Sequence, residues 1–131
     1  HWKATGQVFA DQATQAALEA ETDENTYAPP DLIRHSPGVT KGYAQITAAG
    51  LLVANDYNVD SITDTGVGDR TIVWTDDFSN ANYVCHSGSA SDESARYRHS
   101  VFAVGSVRLR VLDTSNTVFD HATCSIAAGD Q

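Results

Sequence analysis

Apolar and polar residues alternate along most of the chain from residue 39 to residue 131, and Gly, Asn and Asp interrupt the alternation at short intervals. A period of two places successive side chains on opposite faces of a β-strand. The pattern predicts seven strands, at about 39–47, 51–56, 58–63, 70–75, 82–88, 101–111 and 118–127. Short strands at this spacing, rich in Val, Ile and Thr, favour a mainly β domain built as an antiparallel β-sandwich.

Two stretches between the predicted strands have the composition of turns. Residues 64–69 (DTGVGD) contain two glycines that can adopt positive φ, and residues 113–116 (DTSN) form a short polar run. Residues 89–100 are the longest stretch without periodicity, and we expect a long surface loop there. Long loops in small β-domains often carry binding residues.

Residues 1–38 differ in composition, since they contain all three prolines of the chain. Residues 12–20 are rich in Ala, and Asp11 is a plausible N-cap for a helix over this range. Such a helix has about three turns, which is too short for stability in isolation. We therefore predict a helical and extended linker arm at 1–38, followed by a β-sandwich domain at 39–131.

Alanines recur at spacings of three and four along the predicted helix and give it one face of small residues: Ala13, Ala16, Ala17 and Ala20. Such a face buries little area but allows another chain to approach closely. It is expected either to pack on its own domain or to mediate contact between copies, and we favour contact between copies.

The charge balance narrows the possible partners. Asp and Glu outnumber Lys and Arg by 17 to 8, which gives a formal net charge of −9. This excess argues against nucleic acids and anionic membranes, because both require clustered basic residues. No apolar run approaches the ~20 residues of a membrane span. The sequence contains no methionine, and we interpret it as a fragment or processed piece of a longer protein.

Cys85 and Cys124 lie in two different predicted strands, and they form a disulfide only if those strands are neighbours. We expect two small, buried, free thiols. The five histidines and two cysteines show no ligand spacing typical of zinc, so we expect neither a metal nor another cofactor.

Two acidic motifs are compatible with catalysis. Asp64 opens a DTG sequence, the motif of aspartic proteases, in which two aspartates share a proton. A β-turn explains the same three residues, and we favour it. Asp76 and Asp77 are adjacent, so in a strand they point to opposite faces and cannot flank one glycosidic bond. We interpret them as a solvated turn.

Several separated motifs occur in the order found in bacteriophage fibre tips. The chain resembles these proteins at residues 13–30 (a linker ending in YAPP), 35–43 (HSPGVTKGY), 57–69 (YNVDSITDTGVGD), 78–84 (FSNANYV) and 128–131 (AGDQ). Two departures stand out. Gly42 replaces the more usual Ala, which is expected to loosen the first strand, and Pro29-Pro30 replaces the more usual Thr-Pro.

The resemblance implies a virion structural protein, made in the host cytoplasm and assembled into the tail or a surface fibre. Such tips are usually homotrimers that contact other tail proteins and attach the virion to a polysaccharide or protein of the host surface. A head or neck fibre, or a capsid decoration protein, is the alternative within the virion. An enzyme, either a polysaccharide depolymerase or a DTG protease, is the less favoured alternative.

Basic and aromatic residues concentrate in one part of this acidic chain, which holds four of the six arginines. We predict receptor contacts from Arg96, Tyr97, Arg98, His99, Arg108 and Arg110. Arginine binds carboxylate or phosphate in bidentate fashion, and Tyr offers a flat face to a sugar ring. The alternative is that these arginines offset the chain's own acids across subunits. We expect reversible adsorption without catalysis, nucleic-acid binding or membrane insertion.

Overall fold

A computed structural model describes residues 11–91 and 94–131 and divides the chain between Val39 and Thr40 into two compact units. The larger unit is mainly β, and its two sheets are antiparallel. In the described part of the chain, no helix is both long enough and apolar enough to cross a membrane.

The smaller unit contains one short helix between two short strands. Strand β1 (Asp11–Gln12) pairs in parallel with β2 (Thr26–Tyr27), and helix α1 (Gln15–Ala20) lies between them in sequence. The predicted N-cap at Asp11 is wrong, because strand pairing occupies this position and the Thr14 hydroxyl accepts the N–H of Ala17 instead. A 3₁₀-helix (Ile33–His35) follows the Pro29-Pro30 sequence.

The structure places the four alanines of the predicted contact face in different environments. Ala13 precedes the helix and is buried, and its N–H donates to the carbonyl oxygen of Tyr27 at 2.8 Å. Ala16 and Ala20 lie one turn apart on α1 and are exposed, whereas Ala17 is half-buried. Contact between copies through these residues stays a prediction. Residues 1–10 of the predicted arm lie outside the described residues.

The larger sheet has four strands, which are β4 (Val59–Gly66), β5 (Asp69–Trp74), β7 (Arg96–Ala103) and β8 (Ser106–Leu112). Their order is β4-β5-β8-β7. Val67 and Gly68 form the turn between β4 and β5. A Cβ on Gly68 would come within 2.6 Å of the Phe119 carbonyl oxygen, and φ there is +62°, so only glycine fits without strain.

The smaller sheet has three strands, β3 (Gly42–Ile46), β6 (Val84–Ser89) and β9 (Thr123–Ala128), in the order β3-β9-β6. Side chains from both sheets form one hydrophobic core. Its buried members are Ala44, Ile46, Val59, Ile72, Trp74, Phe78, Tyr83, Val107, Leu109, Val111 and Ala127.

Two residues of the sequence motifs at 35–43 and 57–69 occupy junctions of this unit. Asn58, at φ +57°, donates through Nδ2 to the carbonyl oxygens of Lys41 and Asp76 and accepts the N–H of Asp76 at 2.7 Å. Gly42 packs directly on Trp74, since a Cβ would lie 2.9 Å from the indole ring. Gly42 therefore makes a close packing contact that leaves little room for a methyl group, and the expected loosening of the first strand stays a prediction.

Most predicted strands are confirmed, but the structure differs at residues 51–56, 89–100 and 101–111, and the strand predicted at 118–127 begins only at Thr123. Residues 51–56 form only an isolated bridge between Leu52 and Ile46, and Asn55 breaks the extended chain at φ +73°. The predicted loop at 89–100 is wrong over much of its length, since β6 continues to Ser89 and β7 begins at Arg96. The long strand predicted at 101–111 is divided by a turn at Val104 and Gly105 into β7 and β8.

Candidate functional site

Four arginines share the outer face of the four-stranded sheet. Arg96 and Arg98 alternate along β7, and Arg108 and Arg110 alternate along β8. Arg98 lies directly opposite Arg110 in the antiparallel pair, and Ser100 lies opposite Arg108. Facing positions in such a pair have Cα atoms about 4.5–5.5 Å apart, so the four guanidinium groups form one basic surface. We call these four residues the arginine face.

Asp69 of β5 holds two of these arginines in place. It lies opposite Arg110 in the β5–β8 register. Arg108 donates to Asp69 in bidentate fashion, with Nε 2.8 Å from Oδ1 and Nη2 hydrogen-bonded to Oδ2, while Arg110 Nε lies 3.4 Å from Oδ2. The hydrogen bond from Arg108 lowers the pKa of Asp69, although burial opposes the shift. Asp69 is therefore a permanent anion that orients Arg108 and Arg110.

The other two arginines are less engaged. Arg96 Nη1 donates to Asn116 Oδ1 at 3.0 Å on the surface. Arg98 is exposed and makes no hydrogen bond or ion pair with another residue of the described ranges 11–91 and 94–131. Four arginines and Asp69 together carry a charge of 4 − 1 = +3, so the remaining residues of this −9 chain carry −12. The arginine face is thus strongly basic against an acidic background.

Tyr97 and His99 lie on the opposite face of β7 from the arginines, because they alternate with Arg96 and Arg98. His99 Nε2 is 2.8 Å from the Ser87 hydroxyl, which is 2.5 Å from the Ser125 hydroxyl. Burial lowers the pKa of His99 and raises that of Tyr97. The sequence grouped these two residues with the arginines, but the structure directs them between the sheets.

A second Ser–His contact lies near the first. His121 is buried, and its Nε2 lies 2.6 Å from the Ser89 hydroxyl and 3.2 Å from that of Ser91. The sequence analysis missed both contacts, because the partners are 12 to 38 residues apart and no local spacing marks them. They satisfy polar groups between the sheets, where an unpaired hydroxyl or imidazole would be costly.

The two acidic motifs lie in different backbone settings. Asp64, Thr65 and Gly66 end strand β4, so the β-turn that we favoured for the DTG sequence is wrong, and the turn follows at Val67 and Gly68. Asp64 Oδ1 accepts the N–H of Gly66 at 3.0 Å, where the register of the β4–β5 pair shifts. Asp76 uses its backbone N–H and carbonyl oxygen to bind Asn58. Asp77 lies beside the β7–β8 turn, where its Oδ1 would be 2.8 Å from a Cβ on Gly105.

The two cysteines are free thiols, but only one is shielded. Cys85 faces the core side of β6, and burial raises the pKa of its thiol to about 12. Cys124 is exposed on the outer face of β9, so the expectation that both thiols are buried is wrong for this residue. Among residues 11–91 and 94–131, no three His, Cys, Asp or Glu side chains are grouped so that they could hold a metal ion.

Comparisons of the chain with protein-family models, with curated proteins and with solved structures found no match. The geometry of the arginine face and the motifs in the sequence are therefore the basis for assigning a function.

Proposed function

We propose that this chain is the tip domain of a bacteriophage fibre, a β-sandwich that works as a homotrimer and adsorbs reversibly to an anionic polysaccharide of the host surface. The observation that carries the proposal is the arginine face. The order of the fibre-tip motifs along the sequence supports the assignment to a virion.

The arginine face suits a repeating anionic ligand. Its side chains extend from two paired strands, so the sheet fixes the spacing between their Cα atoms before any ligand arrives. Residues two apart on one strand are separated by about 6.8 Å, and Arg98, which has no partner within the described ranges, can take a carboxylate or phosphate in bidentate fashion. Asp69 already orients Arg108 and Arg110, so these two side chains lose less entropy on binding than unrestrained arginines would.

Charge balance separates an anionic partner outside the chain from neutralisation within one chain. If the arginines served only acids of their own chain, each would have an acidic partner in the structure. Asp69 is the acid that the structure brings to Arg108 and Arg110, and Arg98 beside them has no such partner within the described ranges. This excess positive charge favours an anion from outside the chain, either a ligand or an acid of another copy, and the binding experiment distinguishes the two.

Binding to cells and to isolated polysaccharides tests the proposal. The purified, fluorescently labelled protein is mixed with a panel of bacterial strains and with their surface polysaccharides, both anionic and neutral. We expect saturable binding to an anionic polysaccharide, which weakens as salt rises because exposed charges are screened. The double variant Arg98→Gln with Arg110→Gln should bind at least ~10-fold more weakly, since one charged hydrogen bond is worth about 1.5–3 kcal/mol.

Arg34→Gln is the matched control, because it removes an exposed arginine of the other unit. It changes the net charge by one and should leave binding within about twofold, since a single exposed charge outside the arginine face is screened by salt. Binding to no strain, equal binding to neutral and anionic polysaccharides, or equal binding by the double variant would each contradict the proposal.

A further inference from the structure

The outer face of the three-stranded sheet is unusual because it carries no permanently charged side chain. Alternation along the three strands directs seven side chains outward: Tyr43, Gln45, Val84, His86, Cys124, Ile126 and Ala128. An antiparallel sheet with one solvated face normally shows polar residues there. We call these seven residues the uncharged face.

Large apolar groups on this face are open to solvent. Tyr43 is 46% exposed, Val84 68% and Ile126 45%. Tyr57, itself 40% exposed, stacks on Tyr43 with ring centroids 5.9 Å apart and extends the apolar surface past the edge of β3. A depression of about 260 Å³ lies beside Ile126 and Cys124. A contiguous exposed apolar patch typically marks an interaction site.

We propose that a second copy of this chain covers the uncharged face. The exposed apolar area of this surface fits a second copy as its partner. Tyr43, Tyr57, Val84 and Ile126 leave on the order of 350 Å² exposed, given ~200 Å² for a whole tyrosine. A stable interface takes about 800 Å² from each partner, of which somewhat more than half is apolar. These four side chains therefore supply most of the apolar centre of such an interface, and Gln45 and His86 contribute polar contacts.

Charge also favours a copy of the same chain. Each copy carries −9, so two copies repel one another wherever their acidic surfaces meet. The uncharged face lets them approach without bringing like charges together. The arginine face belongs to the other sheet, so the contact leaves it available. In the proposed homotrimer, the uncharged face would be the contact surface between copies. This contact depends on the proposed function only for the number of copies.

Solution mass and the reactivity of one thiol test this contact. Light scattering should give at least two copies for the wild-type protein and one copy, 14.0 kDa, for Ile126→Lys at the same concentration. Val84→Lys is a second variant on the same face and should behave alike. Val67→Lys is the matched control, since Val67 is 61% exposed at the β4–β5 turn of the other sheet and should leave the mass unchanged.

The exposed thiol reports where the copies meet. Cys124 lies on the uncharged face, whereas Cys85 is shielded and its high pKa keeps it a thiol near pH 8. Maleimide should therefore label Cys124, and we expect labelling at least ~10-fold slower in the wild-type protein than in folded Ile126→Lys. Cys124→Ser identifies the labelled residue, and circular dichroism checks that each lysine variant is folded.

Three results would overturn the inference. The first is a wild-type mass of one chain, whether or not Cys124 is protected. The second is a multimer that keeps its mass when Ile126 and Val84 are each changed to lysine. The third is rapid labelling of Cys124 within an intact multimer. Failure of polysaccharide binding in the Arg98 and Arg110 double variant, with unchanged mass, bears only on the proposed function.

Discussion

Arg70 should be among the most important residues for stability, although it lies at the end of a hairpin. Its side chain is fully buried. Nη1 donates to the carbonyl oxygen of His121 at 3.0 Å, and Nη2 donates to that of Ala48 at 2.5 Å. Asp120, whose side chain is 51% exposed, lies 3.7 Å away. Arg70 therefore joins β5 to two loop segments that are otherwise distant in sequence.

The magnitude follows from what each substitution removes. Arg70→Ala loses two charged hydrogen bonds and leaves a cavity, and breaking a buried charged group of this kind costs about 3–5 kcal/mol. Arg70→Met fills most of the volume but leaves the carbonyl oxygens of Ala48 and His121 without this donor. We therefore expect it to lower the free energy of unfolding by about 1–3 kcal/mol. Arg70 Nε has no hydrogen-bond partner among the described residues, which limits the contribution of the native arginine.

Urea unfolding at one fixed protein concentration measures these losses. With a slope of about 2 kcal/mol per molar urea, Arg70→Ala should lower the midpoint by about 2 M. Arg110→Ala is the control, because its side chain is 45% exposed, and it should change stability by less than about 1 kcal/mol. A wild-type midpoint for Arg70→Met would refute the reasoning, since it would mean that the desolvation of the buried charge cancels its hydrogen bonds.

Three further substitutions test other parts of the unit. Gly68→Ala should lower the free energy of unfolding in urea by about 2–4 kcal/mol, because alanine there must adopt positive φ and its methyl group collides with backbone atoms. Gly88→Ala is the control and should lower it by about 1 kcal/mol or less, since the nearest atom to a Cβ there is 3.7 Å away. Tyr83→Phe should lose about 1–3 kcal/mol, because the hydroxyl accepts from Trp74 Nε1 at 3.1 Å and contacts two carbonyl oxygens. His99→Asn should reduce the loss of stability on acidification below about pH 6.5, measured as the urea midpoint against pH, because the folded state binds this proton less readily than the unfolded state.

Each of these predictions has a clear contrary outcome. Equal midpoints for Gly68→Ala and Gly88→Ala would mean that the turn relaxes around a methyl group. Wild-type stability of Tyr83→Phe would mean that water replaces the hydroxyl. The lowered pKa of His99 requires stability to be complete above the unfolded value and to fall as pH drops below it. An acid profile unchanged by His99→Asn would therefore assign that loss to other groups.

Strands were predictable where inward positions are aliphatic. In β8 the alternation of Val107, Leu109 and Val111 with two arginines is unambiguous, and the structure places the arginines outward. In β7 the inward positions hold Tyr97 and His99, whose polar atoms lie between the sheets near Ser87 and Ser89. The hydrophobic period is therefore hidden there, and the sequence alone suggests a loop.

Long-range pairing explains what the sequence could not show about the arginine face. The sequence around Asp69 predicts only that it is the last residue of a glycine-rich turn. Its contact with Arg108 depends on the pairing of β5 with β8, which are 39 residues apart at this point. The opposite error occurs at residues 51–56, where an apolar run suggests a strand but Leu52 forms only an isolated bridge.

The two outer faces of the larger unit have different proposed partners, a polysaccharide for the arginine face and a second copy for the uncharged face. Together they suggest how individually weak contacts can give strong adsorption. Copies joined through the uncharged face would present several arginine faces at once, and linked sites raise overall affinity by about 10²–10⁴ without new contacts. Ile126→Lys should then weaken adsorption to whole cells by about that factor while leaving binding to a short, monovalent fragment of the polysaccharide unchanged. Parallel cell-binding and fragment-titration measurements separate the two effects. An equal loss in both would mean that Ile126 supports the arginine face through the fold, whereas a loss in neither would mean that single copies are sufficient for adsorption.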